Sequence, residues 1–324
     1  MAVDQSIGIF AGTLRDEFML AYEAAMEQPP WERIITDIPS DARIEHYPWF
    51  APPPGISLYS GHRRYGRSDT IKYSVENREF SDGFIVNLID WDDDQVGGYK
   101  MQPKIMADRA SAWPGRWCMK HLVAGTTRTC YDGSVFFANN DSSRLGTVNN
   151  LLTHTAVGSS DSVTSYVIAL YTGGRVKPLL WQNRQAPKLD DNSGTKEMSE
   201  SKELRFWLDM RGNAAYGWPF DAVKLTITNT PNVTDMHAVF TKIQNAFRGF
   251  QLPKSLTDDE IEYPHEQVKF STSNLMLVVS PVLENVTRNA LNETLVAQQI
   301  GSNTVAVNNV LQGWADFMVT NYLA

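Results

Sequence analysis

Residues 203–218 read ELRFWLDMRGNAAYGW, and their opening half decides what kind of fold the chain has. Leu204, Phe206, Leu208 and Met210 alternate with Glu203, Arg205, Trp207 and Asp209. Successive side chains of a strand point to opposite faces, so this period of two describes a half-buried β-strand and not a helix. Arg211-Gly212-Asn213 then reads as a turn, with Val223, Leu225 and Ile227 on a returning strand. Residues 165–171 and 176–183 are further strand candidates, and the polar stretch from Asp190 to Ser201 reads as a flexible hairpin tip. Residues 176–228 together describe a long antiparallel ribbon.

Helices and loops surround that ribbon. Ile7, Phe10, Leu14, Phe18 and Tyr22 recur at helical spacing over residues 6–27, and Pro29-Pro30 ends the run. This amphipathic helix either packs on its own core or serves as an arm that docks on a neighbouring subunit. Residues 43–90 read as extended. Pro39, Pro48, Pro52, Pro53 and Pro54 exclude a compact helix, Arg63, Arg64 and Arg67 sit between glycines, and Ser81-Asp82-Gly83 signals a turn between two short strands. A basic, glycine-bearing strand pair is hard to bury in one monomer, so it is expected to project. Asp90, Asp92, Asp93 and Asp94 precede the longest helical candidate, 98–124, which Pro114 should break or kink. Residues 139–162 read as loop, with at most a short helix near Leu151. In the last third, Thr234 or Asp235 caps a helix carrying Val239, Phe240, Ile243 and Phe247. Leu275 to Val279 suits a strand buried on both faces, Ser280-Pro281 opens another helix, and 308–323 reads as a hairpin and a final strand.

Composition narrows the function. With 324 residues, 42% apolar, and 9 Trp, 14 Phe and 12 Tyr, the chain can bury a sizeable core. A net charge of -8 argues against a protein whose affinity comes from neutralising phosphates. No apolar run approaches the roughly 20 residues that cross a bilayer, and the opening MAVDQSIGIF lacks the basic start and apolar core of a secretory signal. Two cysteines, Cys118 and Cys130, make no disulfide framework, so a reducing cytosol is the expected setting.

Chemistry-bearing patterns are sparse. Cys130 beside Tyr131 and Asp132, with His154 downstream, raises a Cys-His nucleophile, against which stands a small thiol buried in a turn. The carboxylates at 90–94 could hold a divalent ion, but they lack the glycine and terminal glutamate of an EF-hand loop and equally suit a helix N-terminus. Six histidines form no HExxH, and no glycine-rich phosphate loop follows a strand. Residue chemistry alone reads as a non-enzyme.

Several segments resemble, in order, the major head subunits (gpT-type) of Mu-like phages, within the Hong Kong 97-type capsid proteins. They are Cys130-Tyr131-Asp132-Gly133 with Phe136-Phe137, Arg175-Val176-Lys177-Pro178 leading to Gln182, Arg211 through Trp218, and Leu277-Val278-Val279-Ser280-Pro281 with Leu283-Glu284. Trp91-Asp92-Asp93-Asp94, Gly98-Tyr99 and Pro114 match more weakly. The resemblance runs over most of residues 31–323. It implies an α+β capsid fold, with an N-terminal arm (1–42), an extended loop (43–88), a mainly peripheral domain with a spine helix and long ribbon (89–230), and a mainly axial domain (231–324). It also implies a major capsid protein of a tailed double-stranded DNA phage or prophage. That protein would assemble as hexamers and pentamers with a separate scaffolding protein, a portal and decoration or minor capsid proteins, with DNA packaged inside. No catalytic residue, cofactor or metal is implied, and the protein would lie in the virion after assembly in the host cytoplasm. A cellular compartment shell of encapsulin type, a hydrolase using Cys130, and a minor tail or decoration protein are the alternatives.

Expected contacts between subunits are Phe10, Trp49, Phe50, Tyr59, Arg63, Arg64, Arg67, Asp92 and Asp93, where aromatic and Arg side chains are the types enriched at interface anchors. Deleting residues 58–68 should abolish shells while leaving a folded monomer. Circular dichroism checks this, and loss of monomer folding would place that hairpin in the core.

Overall fold

The computed structural model describes residues 2–29, 31–47, 59, 61–62, 73–89, 98–142, 146–157, 159–250, 274–300 and 303–323. The chain divides into two compact units. One comprises residues 1–45, 75–118 and 181–215; the other comprises 46–74, 119–180 and 216–324.

The first unit is built on a four-stranded sheet of order β1-β9-β10-β4, from Ile35–Pro39 (β1), Arg78–Asn87 (β4), Leu179–Asp191 (β9) and Glu203–Tyr216 (β10). The alternation in β10 is realised as read: Leu204, Phe206, Leu208 and Met210 are buried while Arg205, Trp207 and Asp209 face out. Two turn signals are overridden. Ser81-Asp82-Gly83 lies inside β4, which pairs antiparallel with β10 from Glu203↔Asn87 to Gly212↔Arg78, with Phe84 stacked on Phe206 at 4.7 Å. Arg211-Gly212-Asn213 continues β10, because Gly212 serves close approach: a Cβ there would stand 2.6 Å from the Trp181 ring. The hairpin tip holds a short helix, Lys196–Ser201, capped by Thr195.

Helix α1 (Ala2–Met26) buries Ile7, Ala11, Leu14 and Phe18 within this unit, with Phe10 and Tyr22 half-buried. Arg15 Nε stands 3.2 Å from the buried carboxylate of Asp191, and Lys104 pairs with Glu17 at 3.2 Å. The packed reading of this helix is therefore the one observed. Helix α2 (Met101–Val123) continues through Pro114. The proline removes one N–H, and what the helix keeps is a row of aromatic contacts. Phe80 of β4 meets Trp113 and Trp117 edge-on at 5.4 and 5.2 Å and leans on Trp181 at 6.2 Å. Trp117 Nε1 donates to Asn213 Oδ1 (3.1 Å) and Trp31 Nε1 to the Ser111 carbonyl (2.9 Å).

Strands β2 (Ile44–His46) and β3 (Ser74–Glu76) form a two-stranded ribbon within the span expected to extend at 43–88, whose last part, Arg78–Asn87, is instead β4 of the sheet. Its tip lies outside the described residues apart from Tyr59, Gly61 and His62.

The second unit holds a five-stranded sheet of order β15-β12-β8-β11-β7. Its strands are Leu151–Thr155 (β7), Thr164–Tyr171 (β8), Ala222–Thr228 (β11), Leu275–Val279 (β12) and Asp316–Val319 (β15). Every residue of β12 is buried, as its unbroken apolar run requires. Residues 139–162 are strand-rich where a loop was expected, adding Asn139–Ser142 (β5) paired with Gly146–Asn149 (β6). The returning strand of the expected ribbon, β11, belongs to this sheet and pairs with β8 and β7.

Helix α4 (Val233–Gly249) lies against β11 and α5 (Glu284–Asn292), with the short helix Lys196–Ser201 counted as α3. Its cap is Asn232, two or three residues earlier than expected. Asn232 Oδ1 accepts Asp235 N at 2.9 Å and Asp235 Oδ2 accepts Asn232 N at 3.1 Å, a reciprocal capping box. Ser280 makes no capping bond before α5. The terminal hairpin is Leu295–Ile300 (β13) with Asn303–Asn308 (β14), earlier in the chain than the one read at 308–323.

Three of the resembling motifs meet in this unit. Phe136 stacks on Tyr216 at 4.3 Å, and Tyr216 Oη donates to the His121 carbonyl. Gly217 N donates to the Pro178 carbonyl at 2.8 Å, and a Cβ on Gly217 would run into the Lys177 carbonyl oxygen. Asn150 ties the same region together, accepting Ala138 N and donating to the Phe136 and Pro219 carbonyls.

Burial holds the Asp221 carboxyl well above its ordinary value of 3.8. A raised folded pKa contributes stability that is complete below the unfolded value and is lost as pH rises toward the folded one. Asp221→Asn should therefore be more stable than the parent at pH 7, with the difference closing as pH falls toward 4. Urea unfolding at several pH values checks this, and an advantage that grew on acidification would contradict it.

Candidate assembly surfaces

Among the described residues, no group of three or more His, Cys, Asp and Glu side chains could hold a metal ion. No described helix is long and apolar enough to cross a membrane. The acidic run at 90–94 lies outside the described residues.

Cys130 is buried, and its thiol donates to Asp132 Oδ1 at 3.0 Å. Burial first, then the hydrogen bond and charge of Asp132, push the thiol up to about 12. A nucleophilic cysteine needs the opposite, a cationic neighbour that favours thiolate. His154 supplies none. Its Nε2 stands 3.6 Å from Asp235 Oδ1, beside the cap of α4. The Cys130-Asp132-Ser134 cluster is turn chemistry: Ser134 N and Oγ both donate to the Asp132 carboxylate.

What the fold offers instead is surface. The outward face of the first unit's sheet carries Trp207, 38% exposed, across from Gly83, and Ile85, 59% exposed, across from Arg205. Arg205 pairs with Glu197 and Glu203, and Arg211 with Glu79. An outward tryptophan ringed by paired charges has the composition of an interface anchor. The even-numbered residues of β4 and β10 face α2, so the same strands that hold the aromatic cluster inside present this face outside. The β10 alternation already placed Trp207 with the polar positions, a signal that marks it as outward although it was not among the expected contacts.

Of the expected contacts, Phe10 is half-buried on α1, and Tyr59 is 71% exposed, its hydroxyl donating to the Gly61 carbonyl. Trp49, Phe50, Arg63, Arg64, Arg67, Asp92 and Asp93 lie outside the described residues. In the second unit a groove of about 550 Å³ lies between α4 and β7, where Lys242 Nζ donates to the Thr153 carbonyl.

Comparison with known proteins supplies what the surface alone does not. The family model described as Mu-like prophage major head subunit gpT matches residues 9–323. The chain belongs to this family. It is 27% identical to the major capsid protein of Escherichia phage Mu over 332 residues, covering 98% of each chain. It is 26% identical over 198 residues to the Mu-like prophage FluMu major head subunit of Haemophilus influenzae, covering 58% of this chain and 63% of that one. In fold it is similar to the bacteriophage JBD30 capsid, with TM-score 0.70, 16% identity and 91% of each chain covered. It is also similar to the JBD30 procapsid, with TM-score 0.66, 21% identity and coverage of 97% and 99%. The gpT-type subunit is thus a major capsid protein of a tailed phage with the Hong Kong 97-type α+β fold, a component of the virion that works in many copies.

The two faces of the β4–β10 pair should respond differently to truncation. Phe80→Ala, which empties the aromatic cluster, should cost about 3–5 kcal/mol of unfolding free energy. Trp207→Ala should stay within about 0.5 kcal/mol while lowering the yield of assembled particles. Denaturant melts of the subunit and sedimentation of the assembled material separate the two effects.

Proposed function

We propose that this gpT-type subunit forms hexamers and pentamers that close into an icosahedral shell around the double-stranded DNA of a tailed phage or prophage. A separate scaffolding protein guides the assembly, a portal occupies one vertex, and assembly takes place in the host cytoplasm. The observation that carries the reading is the family match over residues 9–323, supported by likeness in fold to a capsid over nine-tenths of both chains. One of the JBD30 structures similar in fold, with TM-score 0.63, 17% identity and 91% of each chain covered, is decorated with minor capsid protein trimers, and a comparable decoration is part of the proposal here.

The mechanism is association. Each subunit meets its neighbours through head-to-tail contacts, and such contacts close when the rotation between copies fits a ring. Many modest interfaces then add, so stability rises steeply once closure is reached. The extended segment around Trp49, Phe50, Tyr59, Arg63, Arg64 and Arg67 is assigned to contacts between subunits, as are Phe10, Asp92 and Asp93. A chain of net charge -8 also suits a container. A strongly basic lining would hold the duplex by counterion release and oppose its exit. No enzymatic step is assigned, in keeping with a Cys130 thiol held protonated.

Expression of the chain alone and with its neighbouring gene products, followed by electron microscopy, tests the reading. Closed, uniform shells are expected. A concentrated, folded protein that stays monomeric in every combination would overturn it.

A further inference from the structure

Among the described residues, β4 is an outer strand of its sheet, with β10 on one side. Leu88 N donates to the Lys202 carbonyl at 3.0 Å, immediately beyond the Glu203↔Asn87 pair. Antiparallel pairs alternate between hydrogen-bonded and non-hydrogen-bonded, so the even-numbered residues of β4 direct their backbone groups to β10. The odd-numbered residues Glu79, Ser81, Gly83, Ile85 and Asn87 direct theirs away from the sheet, and all five are exposed. Asp82 Oδ1 holds the Gly83 N–H at 2.9 Å while the edge is uncovered, its other oxygen facing Arg109. Between β4 and α2 runs a groove of about 400 Å³, lined by Phe80, Asp82, Met106, Arg109, Ala110 and Trp113 among others. The Trp113 Nε1 is buried there with no hydrogen-bond partner among the described residues. A ten-residue strand with an open backbone edge, beside a groove containing an orphaned donor, is an unfinished sheet.

We propose that the β4 strands of two copies of this chain pair antiparallel about a local two-fold axis through Gly83, joining two four-stranded sheets into one of eight strands. The proposal rests on the shell reading, which brings copies together. The register follows from the sequence of β4. Side chains keep to their own face only if odd residues meet odd ones, and two such registers use nearly the whole strand. An axis through Asp82 would set that carboxylate against its own copy, and like charges directly opposite are destabilising. An axis through Gly83 sets Glu79 against Asn87, Ser81 against Ile85, Asp82 against Phe84 and Phe80 against Val86. It leaves the centre without side chains and places no two like charges opposite each other. The hydrogen-bonded pairs across this seam are the odd-numbered ones, whose backbone groups β10 leaves unused.

The test is a Ser81→Cys/Ile85→Cys double variant, with shells oxidised mildly and run on a non-reducing gel. Cys118 and Cys130 are buried and do not compete. Residues that face each other across a hydrogen-bonded pair have Cα atoms about 5.5 Å apart, within disulfide reach. The expected result is a covalent dimer that reductant abolishes, with no higher species, because a two-fold seam puts both bonds in the same pair. Shells without crosslinks, or a ladder of trimers and larger species, would overturn the seam. As a second arm, Ser81→Pro removes an edge N–H that β10 does not use. The circular dichroism spectrum should be kept while shells are lost, and wild-type shells from a folded Ser81→Pro would also overturn the proposal. Where Ser81→Pro does not fold, the cysteine pair decides. Failure of the unsubstituted chain to form any shell would instead count against the shell reading.

Discussion

Phe80 is the residue through which β4 is held to its unit. Its ring is gripped by Trp113 and Trp117 of α2 and by Trp181 of β9, and large aromatic surfaces of this kind dominate the energetics of a core. Once Phe80 faces α2, the pleat leaves no choice for the rest of the strand. Phe84 and Val86 turn inward with it, and Glu79, Ser81, Gly83 and Ile85 turn outward. The outward face of the sheet, its charge pairs and its exposed tryptophan all follow from that single orientation. The same contacts account for a long helix that tolerates an internal proline, since the lost backbone bond is small beside the aromatic surface α2 buries.

In the second unit the comparable constraint is steric. The backbone of Gly217 passes so close to Lys177 and Pro178 that a side chain would not fit. Tyr216, its neighbour, then stacks on Phe136. Segments that are separated in sequence by tens of residues are therefore locked in register by one glycine and one ring. Three of the four short motifs are thus walls of the same joint.

Elements with strong periodicity were legible from residues alone. The buried and exposed sides of β10, the apolar run of β12, the amphipathic α1 and the α4 face with Val239, Phe240, Ile243 and Phe247 stand as their patterns require. What could not be read was where local turn chemistry yields to pairing. Ser81-Asp82-Gly83 and Arg211-Gly212-Asn213 carry strong turn residues, yet they lie opposite one another's strands, and the ladder between them outweighs local preference. Likewise the Asn- and Thr-rich stretch after Phe137 forms edge strands, where polar side chains cost little. On the outward face of the sheet, Trp207 was legible as outward, but alternation gives a direction and says nothing of what covers it. The resemblance, by contrast, was carried by residues at close approaches, where few side chains fit.

The two cysteine thiols have a consequence for the life of a particle. Cys118 and Cys130 are both buried and both pushed toward the neutral thiol, chiefly by desolvation. Neutral, enclosed thiols react slowly with oxygen, peroxide and other disulfides. A coat built from such subunits therefore keeps its cysteines out of thiol chemistry, whether its surroundings are reducing or oxidising.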